Sequence, residues 1–270
     1  MDKVRIFIGS GEASILERKT LIYSIKKNTS RELDIYVFNG THNSIEYNDE
    51  PPYLAPMTLE VKYQNFTEFS NYRWYIPQIC NYQGKAIWLD SDTVCLGDIG
   101  ILFDTDMDNN DLLAVSGSYD NSDSGQTFAT SVLLMDCSRC NFDIDLYVRE
   151  INEGKYDYYD LARMTKAFLD MHPFNVGAMD PGWNVFDRCD DTTSLIHYTN
   201  LLQQPWKFTG HKFGHIWFEY FTQAITSGYI SEGDIRKAIY RGHARKNIMD
   251  GNYSRTGCNI RKIINRLFSK

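Results

Sequence analysis

The chain has 270 residues, with 28 Lys plus Arg against 35 Asp plus Glu, for a formal net charge of -7. With 43% hydrophobic and 23% charged residues it can bury a sizeable core, which excludes global disorder. The acidic total argues against nucleic acid as the main partner, and the length suits one large domain or two small ones, at roughly 100–200 residues each.

Val4–Ile8 reads as a first strand, followed by the turn Gly9-Ser10-Gly11. Ser14 is placed to cap a helix running to about Lys27, with Ile15, Ile22 and Ile25 on one face. Leu33–Phe38 reads as a second strand. A strand, a loop, a helix and a strand in that order predict a parallel sheet and an α/β fold. Asn39–Pro56 reads as a loop rich in Asn and Pro. Ser70–Cys80 reads as helical, with Pro77 predicting a kink or an early end. Lys85–Leu89 is a short apolar strand running into Asp90. Asp111–Val115 and Phe128–Asp136 read as strands, Asn141–Asn152 and Tyr158–Leu169 as helices, and Ser194–Tyr198 as a late short strand. Phe213–Ser227, Gly233–Tyr240 and Asn259–Phe268 read as helices, the last of them basic.

The sharpest chemical feature is Trp88-Leu89-Asp90-Ser91-Asp92. The pattern D-x-D occurs four times in this chain, but only here does it follow an apolar strand. On a strand, residues i and i+2 point to one side, so both carboxylates can face one ligand. The carboxyl end of a strand in an α/β sheet is also where ligands bind. Two hard oxygen donors suit Mg²⁺ or Mn²⁺, with phosphate oxygens completing the shell. The plainer alternative is a turn at a strand end, with Asp as a local cap. His197, at the end of the late strand, offers an imidazole. Joined to two carboxylates it makes a Mn²⁺ site, whereas alone it reads as a structural histidine.

In these residues the chain resembles family 8 of the glycosyltransferases, over roughly residues 4–207. The resemblance rests on Ile8-Gly9-Ser10, on Tyr72-Arg73-Trp74-Tyr75-Ile76-Pro77, and on Trp88-Leu89-Asp90-Ser91-Asp92-Thr93-Val94. It extends through Gly97-Asp98-Ile99 with Leu102-Phe103, Phe128–Asp136 and Trp183-Asn184-Val185. It closes with His197 and Pro205-Trp206. The resemblance implies a GT-A fold, Rossmann-like, with a central mixed, mostly parallel sheet flanked by helices. It implies a retaining transfer from a nucleotide-diphospho-sugar, usually a UDP-sugar, with Mn²⁺ or Mg²⁺. Asp90, Asp92 and His197 would be the metal ligands. Arg73 would hold the donor and orient the acidic pair. Ile8, Gly9 and Ser10 would line the nucleotide pocket, with Ser91, Asn200 and Lys207 also on the donor side. Asp180 is the candidate for a carboxylate facing the sugar. The acceptor would be a glycan or a lipid-linked glycan.

Three departures stand out. The family's F-N-S-G-V is Phe128-Ala129-Thr130-Ser131-Val132 here, so Ala129 replaces the usual Asn. In the closing motif Asn200 stands for Gly and Gln204 for Lys, leaving Lys207 or Lys212 to supply a cation. The family's Asp-Gln-Asp segment has no counterpart between Tyr158 and Trp183. These losses keep open a decayed site that only binds nucleotide sugars or glycans. A sugar-phosphate nucleotidyltransferase is the other alternative, although no basic residue follows Gly9-Ser10-Gly11-Glu12 until Arg18.

The expected organisation is a catalytic domain over residues 1–207 and a helical, basic extension over 208–270, packed on the same domain. From Arg236 onward there are ten basic residues and one acid, a charge of +9, and the preceding residues carry -16. In the final helix Ile260, Ile263, Ile264, Leu267 and Phe268 follow helical spacing with basic residues opposite. It fits either an anionic membrane surface or docking on the domain; nucleic acid is not expected. No signal peptide and no apolar stretch of membrane-spanning length is evident, so the expected location is the cytoplasm, with peripheral contact at the inner face of the membrane. Cys137 and Cys140 form a lone C-x-x-C, read as structural because zinc would need two more ligands.

Overall fold

The computed structural model describes residues 2–56, 67–117 and 127–250. Among these, the strands in chain order are β1 Val4–Ser10, β2 Leu33–Asn39, β3 Ser44–Tyr47, β4 Tyr53–Leu54, β5 Lys85–Asp90 and β6 Thr93–Cys95. They continue with β7 Leu112–Ser116, β8 Phe128–Asp136, β9 Val176–Ala178, β10 Val185–Phe186 and β11 Leu195–His197. The chain divides into two compact units. The first holds Met1–Glu12, Arg31–Asp90 and Ile99–Asn184; the second holds Ala13–Ser30, Ser91–Asp98 and Val185–Lys270.

In the first unit, among the described residues, eight strands form one mixed sheet in the order β4-β3-β2-β1-β5-β8-β7-β9. The centre, β2-β1-β5, is parallel. β8 runs antiparallel to both β5 and β7. β5 and β8 are buried along nearly their whole length, the pattern of strands covered on both faces. The register sets Gly9 beside Asp90, which fixes where the end of β1 meets the end of β5. Aromatic stacking ties the next element to this sheet. Phe7 stacks on Phe38 at 5.7 Å, and Phe38 stacks on Tyr72 at 4.9 Å. Tyr72 lies in the 3-10 turn Ser70–Tyr75, so its ring seats the turn that carries Arg73. Fully burying such a ring is worth about 1.5–3 kcal/mol, enough to hold a short turn that has little stability of its own.

In the second unit, among the described residues, β10, β11 and β6 form a three-stranded sheet. β11 pairs antiparallel with β6, and His197 lies opposite Thr93. The helix Ile15–Asn28 packs on β6 and on the helices Gly214–Thr226 and Glu232–Tyr240. Ser24 Oγ accepts the Cys95 N–H at 3.0 Å, and Asn28 Nδ2 donates to the Cys95 carbonyl at 2.9 Å. Trp206, Trp217 and Phe221 are fully buried in this unit's core, with Trp217 stacked on Phe221 at 4.6 Å.

The α/β expectation holds, and most predicted elements appear within a few residues of their expected bounds. Four differ. Asn39–Pro56 contains β3 and β4, joined by turns in which Asn48 and Asp49 take positive φ. Pro77 starts the helix Ile76–Ile79 rather than ending one, because a proline lacks the N–H that goes unbonded in a first turn. Tyr158–Leu169 breaks into Tyr158–Arg163 and Lys166–Met171, with Met164 left-handed at φ 47. Ser14 occupies the cap position of its helix but makes no side-chain cap hydrogen bond. The predicted basic helix Asn259–Phe268 lies outside the described residues.

Candidate active site

The chain leaves β5 at Asp90 and enters β6 at Thr93, so Asp90 and Asp92 flank a single residue, the buried Ser91. Asp90 Oδ1 receives the indole N–H of Trp88 at 2.9 Å and lies 3.4 Å from Arg73 Nη2. Trp88 and Asp90 share a face of β5, as their i, i+2 spacing requires. The Arg73 guanidinium is buried. Its Nε donates to the Ser70 carbonyl at 2.7 Å, and Nη1 donates to the Thr130 carbonyl at 2.6 Å and to Thr130 Oγ1 at 2.8 Å. It also lies over the Trp88 ring, 5.1 Å from the centroid. Each nitrogen of Arg73 thus has a partner, and Asp90 has a buried guanidinium beside it.

On the β6 side, Asp92 Oδ1 lies 3.0 Å from His197 Nε2. Gln204 Nε2 donates to Asp92 Oδ2 at 3.4 Å and to the Tyr198 carbonyl at 3.2 Å. Among the described residues, Asp90, Asp92 and His197 are the group able to offer three ligand atoms together, all within 4.8 Å of one another. Two carboxylates and one imidazole make a donor set that fits a small divalent cation accepting oxygen and nitrogen. The held orientations of Asp90 and Asp92 are those that partners outside a metal's ligand shell ordinarily impose.

The other predicted residues fall into two groups. Ile8, Gly9 and Ser10 close β1, and Gly9 is in register with Asp90. A Cβ at Gly9 would stand 2.5 Å from the Trp88 ring, so only glycine lets β1 pass this indole. Asn200, Lys207 and Asp180 are exposed. The Asn200 side chain accepts the Leu202 N–H at 3.1 Å, and Asp180 caps a 3-10 turn by accepting the Gly182 N–H at 2.8 Å. Asn184 Nδ2 donates to Ser131 Oγ at 2.9 Å and to the Ala129 carbonyl at 3.3 Å, which fixes the strand where the departure at Ala129 occurs.

Sequence reasoning took Gln204 only as a lost lysine; the structure makes it a partner of Asp92. It also passed over Glu17, a buried carboxyl on the helix Ile15–Asn28. Burial pushes the Glu17 carboxyl up to about 8, the negative charge of Asp92 adds to the rise, and Lys207 opposes it. The spacing of Trp88 and Asp90 could have revealed their bond; nothing in sequence signals the Gln204 contact.

A sheet of this kind, with paired acids where a central strand ends, defines a GT-A-type glycosyltransferase. The chain belongs to glycosyl transferase family 8, whose model matches residues 18–210. No curated protein matches the sequence. Among solved structures it is similar to galactosyltransferase LgtC in complex with donor and acceptor sugar analogs, at 14% identity and TM-score 0.62, covering 87% of this chain and 100% of that one. It is similar to the glycosyltransferase GlyE of Streptococcus pneumoniae TIGR4, at 17% identity and TM-score 0.56, covering 81% of this chain and 61% of that one. The bifunctional glycosyltransferase WbbM matches at 17% identity and TM-score 0.56, over 89% of this chain and 51% of that one. The chain therefore spans about half to three fifths of GlyE and WbbM. At these identities the likeness is one of fold.

Proposed function

We propose that this glycosyltransferase moves a sugar from a UDP-sugar, with Mn²⁺ held by Asp90, Asp92 and His197, to a glycan or lipid-linked acceptor of a surface polysaccharide. The observation that carries this reading is the convergence of two carboxylates and one imidazole within 4.8 Å in a family 8 chain. A divalent cation bound there would stabilise the negative charge that develops on the departing diphosphate. Arg73 fixes the Asp90 carboxylate, and Gln204 and His197 fix that of Asp92, so the ligands are oriented before a donor arrives. Ile8, Gly9 and Ser10, at the buried end of β1, are assigned to the nucleotide side, and Gly9 lets β1 pass close to the Trp88 ring beside Asp90. Ser91, Asn200 and Lys207 are assigned to the donor side, and Asp180 to the sugar. Transfer with retention, in which the acceptor attacks from the side the diphosphate leaves, needs no protein nucleophile, and none is nominated.

Residues 1–207 are assigned the donor chemistry. Residues 208–270 are assigned to the acceptor side, with the basic C-terminal segment contacting anionic lipid at the cytoplasmic face. Among the described residues no helix is long and apolar enough to cross a membrane.

The test is a screen of UDP-sugars by thermal shift, with and without Mn²⁺, followed by release of UDP from the best hit. A donor is expected to raise the melting temperature only when Mn²⁺ is present, and Asp92→Ala to abolish the rise. A full shift in Asp92→Ala would contradict the metal assignment. Tight binding with no release of UDP under any metal would favour a binding protein.

A further inference from the structure

A second carboxylate and imidazole pair braces the loop that follows His197. Asp187, just beyond β10, stands at φ 50, in the left-handed region that side chains rarely adopt. Its carboxylate is surrounded by donors. Oδ2 accepts the Thr199 hydroxyl at 2.5 Å and the Asn200 N–H at 3.1 Å, while Oδ1 faces His211 Nε2 at 3.2 Å. Its backbone N–H donates to the His197 carbonyl at 2.9 Å. One residue thereby grips the chain at His197, Thr199 and Asn200.

His211 is itself buried and held on three sides. Its Nδ1 accepts the Phe213 N–H at 3.1 Å, which leaves Nε2 as the protonated nitrogen that donates to Asp187. The ring of Tyr198 meets it edge-on at 5.0 Å, and the Tyr198 hydroxyl donates to the Phe213 carbonyl at 3.1 Å. Tyr198 closes the circuit: its N–H donates to the Asp92 carbonyl at 3.0 Å. The network runs from the turn at His211 through Asp187 and Tyr198 to both Asp92 and His197. A backbone conformation that is costly for a side-chain-bearing residue persists only where surrounding contacts over-determine it, and here they do.

We propose that Asp187, oriented by His211, is a positioning residue for the metal ligand His197: it sets the backbone from which the imidazole projects. The proposal rests on the reading of His197 as a ligand and extends it to two residues beyond the cation's own shell. It also ties His211, which lies past Pro205-Trp206 in the segment assigned to the acceptor side, to the backbone of the metal site.

The test measures Mn²⁺ affinity by titration calorimetry or electron paramagnetic resonance in the presence of UDP, well below the melting temperature of each variant. Asp187→Ala is expected to bind Mn²⁺ about 10–100-fold more weakly, the usual loss when a group behind a metal ligand is removed. His211→Gln, which keeps a donor toward Asp187, is expected to bind more tightly than His211→Ala. A folded Asp187→Ala with affinity within twofold of the unaltered protein would overturn the proposal. Should Asp187→Ala fail to fold, Thr199→Val removes one of the same hydrogen bonds and is expected to weaken Mn²⁺ several-fold; unchanged affinity there would overturn it equally. Absence of Mn²⁺ binding by the unaltered protein would instead refute the metal reading beneath it.

Discussion

His197 Nε2 lies 3.0 Å from Asp92 Oδ1 because β11 runs antiparallel to β6 with His197 opposite Thr93. One step of register brings together two residues far apart in sequence, and a slip of one residue would turn the imidazole to the other face. His197→Ala should therefore remove a ligand while leaving the strand pairing intact. The expected result is loss of the Mn²⁺-dependent thermal shift with UDP, with a far-UV circular dichroism spectrum unchanged.

Arg73 should be irreplaceable by lysine. Its three nitrogens engage Ser70, Thr130 and Asp90 in different directions, and a lysine ammonium can meet only part of that set. Arg73→Ala strands buried partners and is expected to cost about 3–5 kcal/mol. Arg73→Lys is expected to cost about 1.5–3 kcal/mol, the worth of a hydrogen bond to a charged group. Urea denaturation reads both, and a loss under half a kcal/mol for Arg73→Lys would count against the described geometry.

Gly9 and Gly11 make a paired prediction. A Cβ at Gly9 would meet the Phe69 ring at 2.4 Å and the Trp88 ring at 2.5 Å, and Trp88 is fully buried. Gly9→Ala is expected to lose about 1–3 kcal/mol of stability through overpacking. At Gly11 the nearest atom is Glu68 Oε1, the end of a side chain that can turn away at the loss of its bond to Thr41. Gly11→Ala should therefore be the milder change in the same urea measurement.

Glu17 gives stability a pH dependence with a definite sign. Burial raises its carboxyl from 4.5 to about 8. Between those values the folded protein keeps a proton that the unfolded chain has released. Its contribution to stability thus falls as pH rises through the window, by up to about 1.4 kcal/mol per pH unit, and is constant above it. Glu17→Gln should flatten the decline in melting temperature between pH 5 and pH 8. Parallel curves for the two proteins would contradict this account.

The strand before the acidic pair was legible because its chemistry is local. An apolar run into Asp90 marks β5, but Asp92 falls past the strand's end, in the turn before β6, so the two acids do not share a strand face as their spacing predicts, and β6 itself went unread. The partners of those acids were not legible by the same logic. Gln204 reaches Asp92 across 112 positions, and a glutamine in place of a lysine reads from sequence as a loss. The break at Met164 was also silent, since a left-handed residue without glycine or asparagine leaves no mark in an otherwise helical pattern. β3 and β4 hid in a segment whose Asn and Pro content describes its turns better than its short strands. His197 was read first as an imidazole that could join the two carboxylates, and the resemblance then made it a ligand; periodicity alone would have left it a buried strand residue.

The proposed function stands on Asp90, Asp92 and His197 holding one divalent cation for a nucleotide-sugar donor. Anomalous diffraction at the manganese edge, from crystals grown with Mn²⁺ and UDP, tests it most directly. One strong peak is expected about 2.0–2.3 Å from an oxygen of each aspartate and from the His197 imidazole. UDP bound with no peak there, or a peak ligated by other residues, would contradict it.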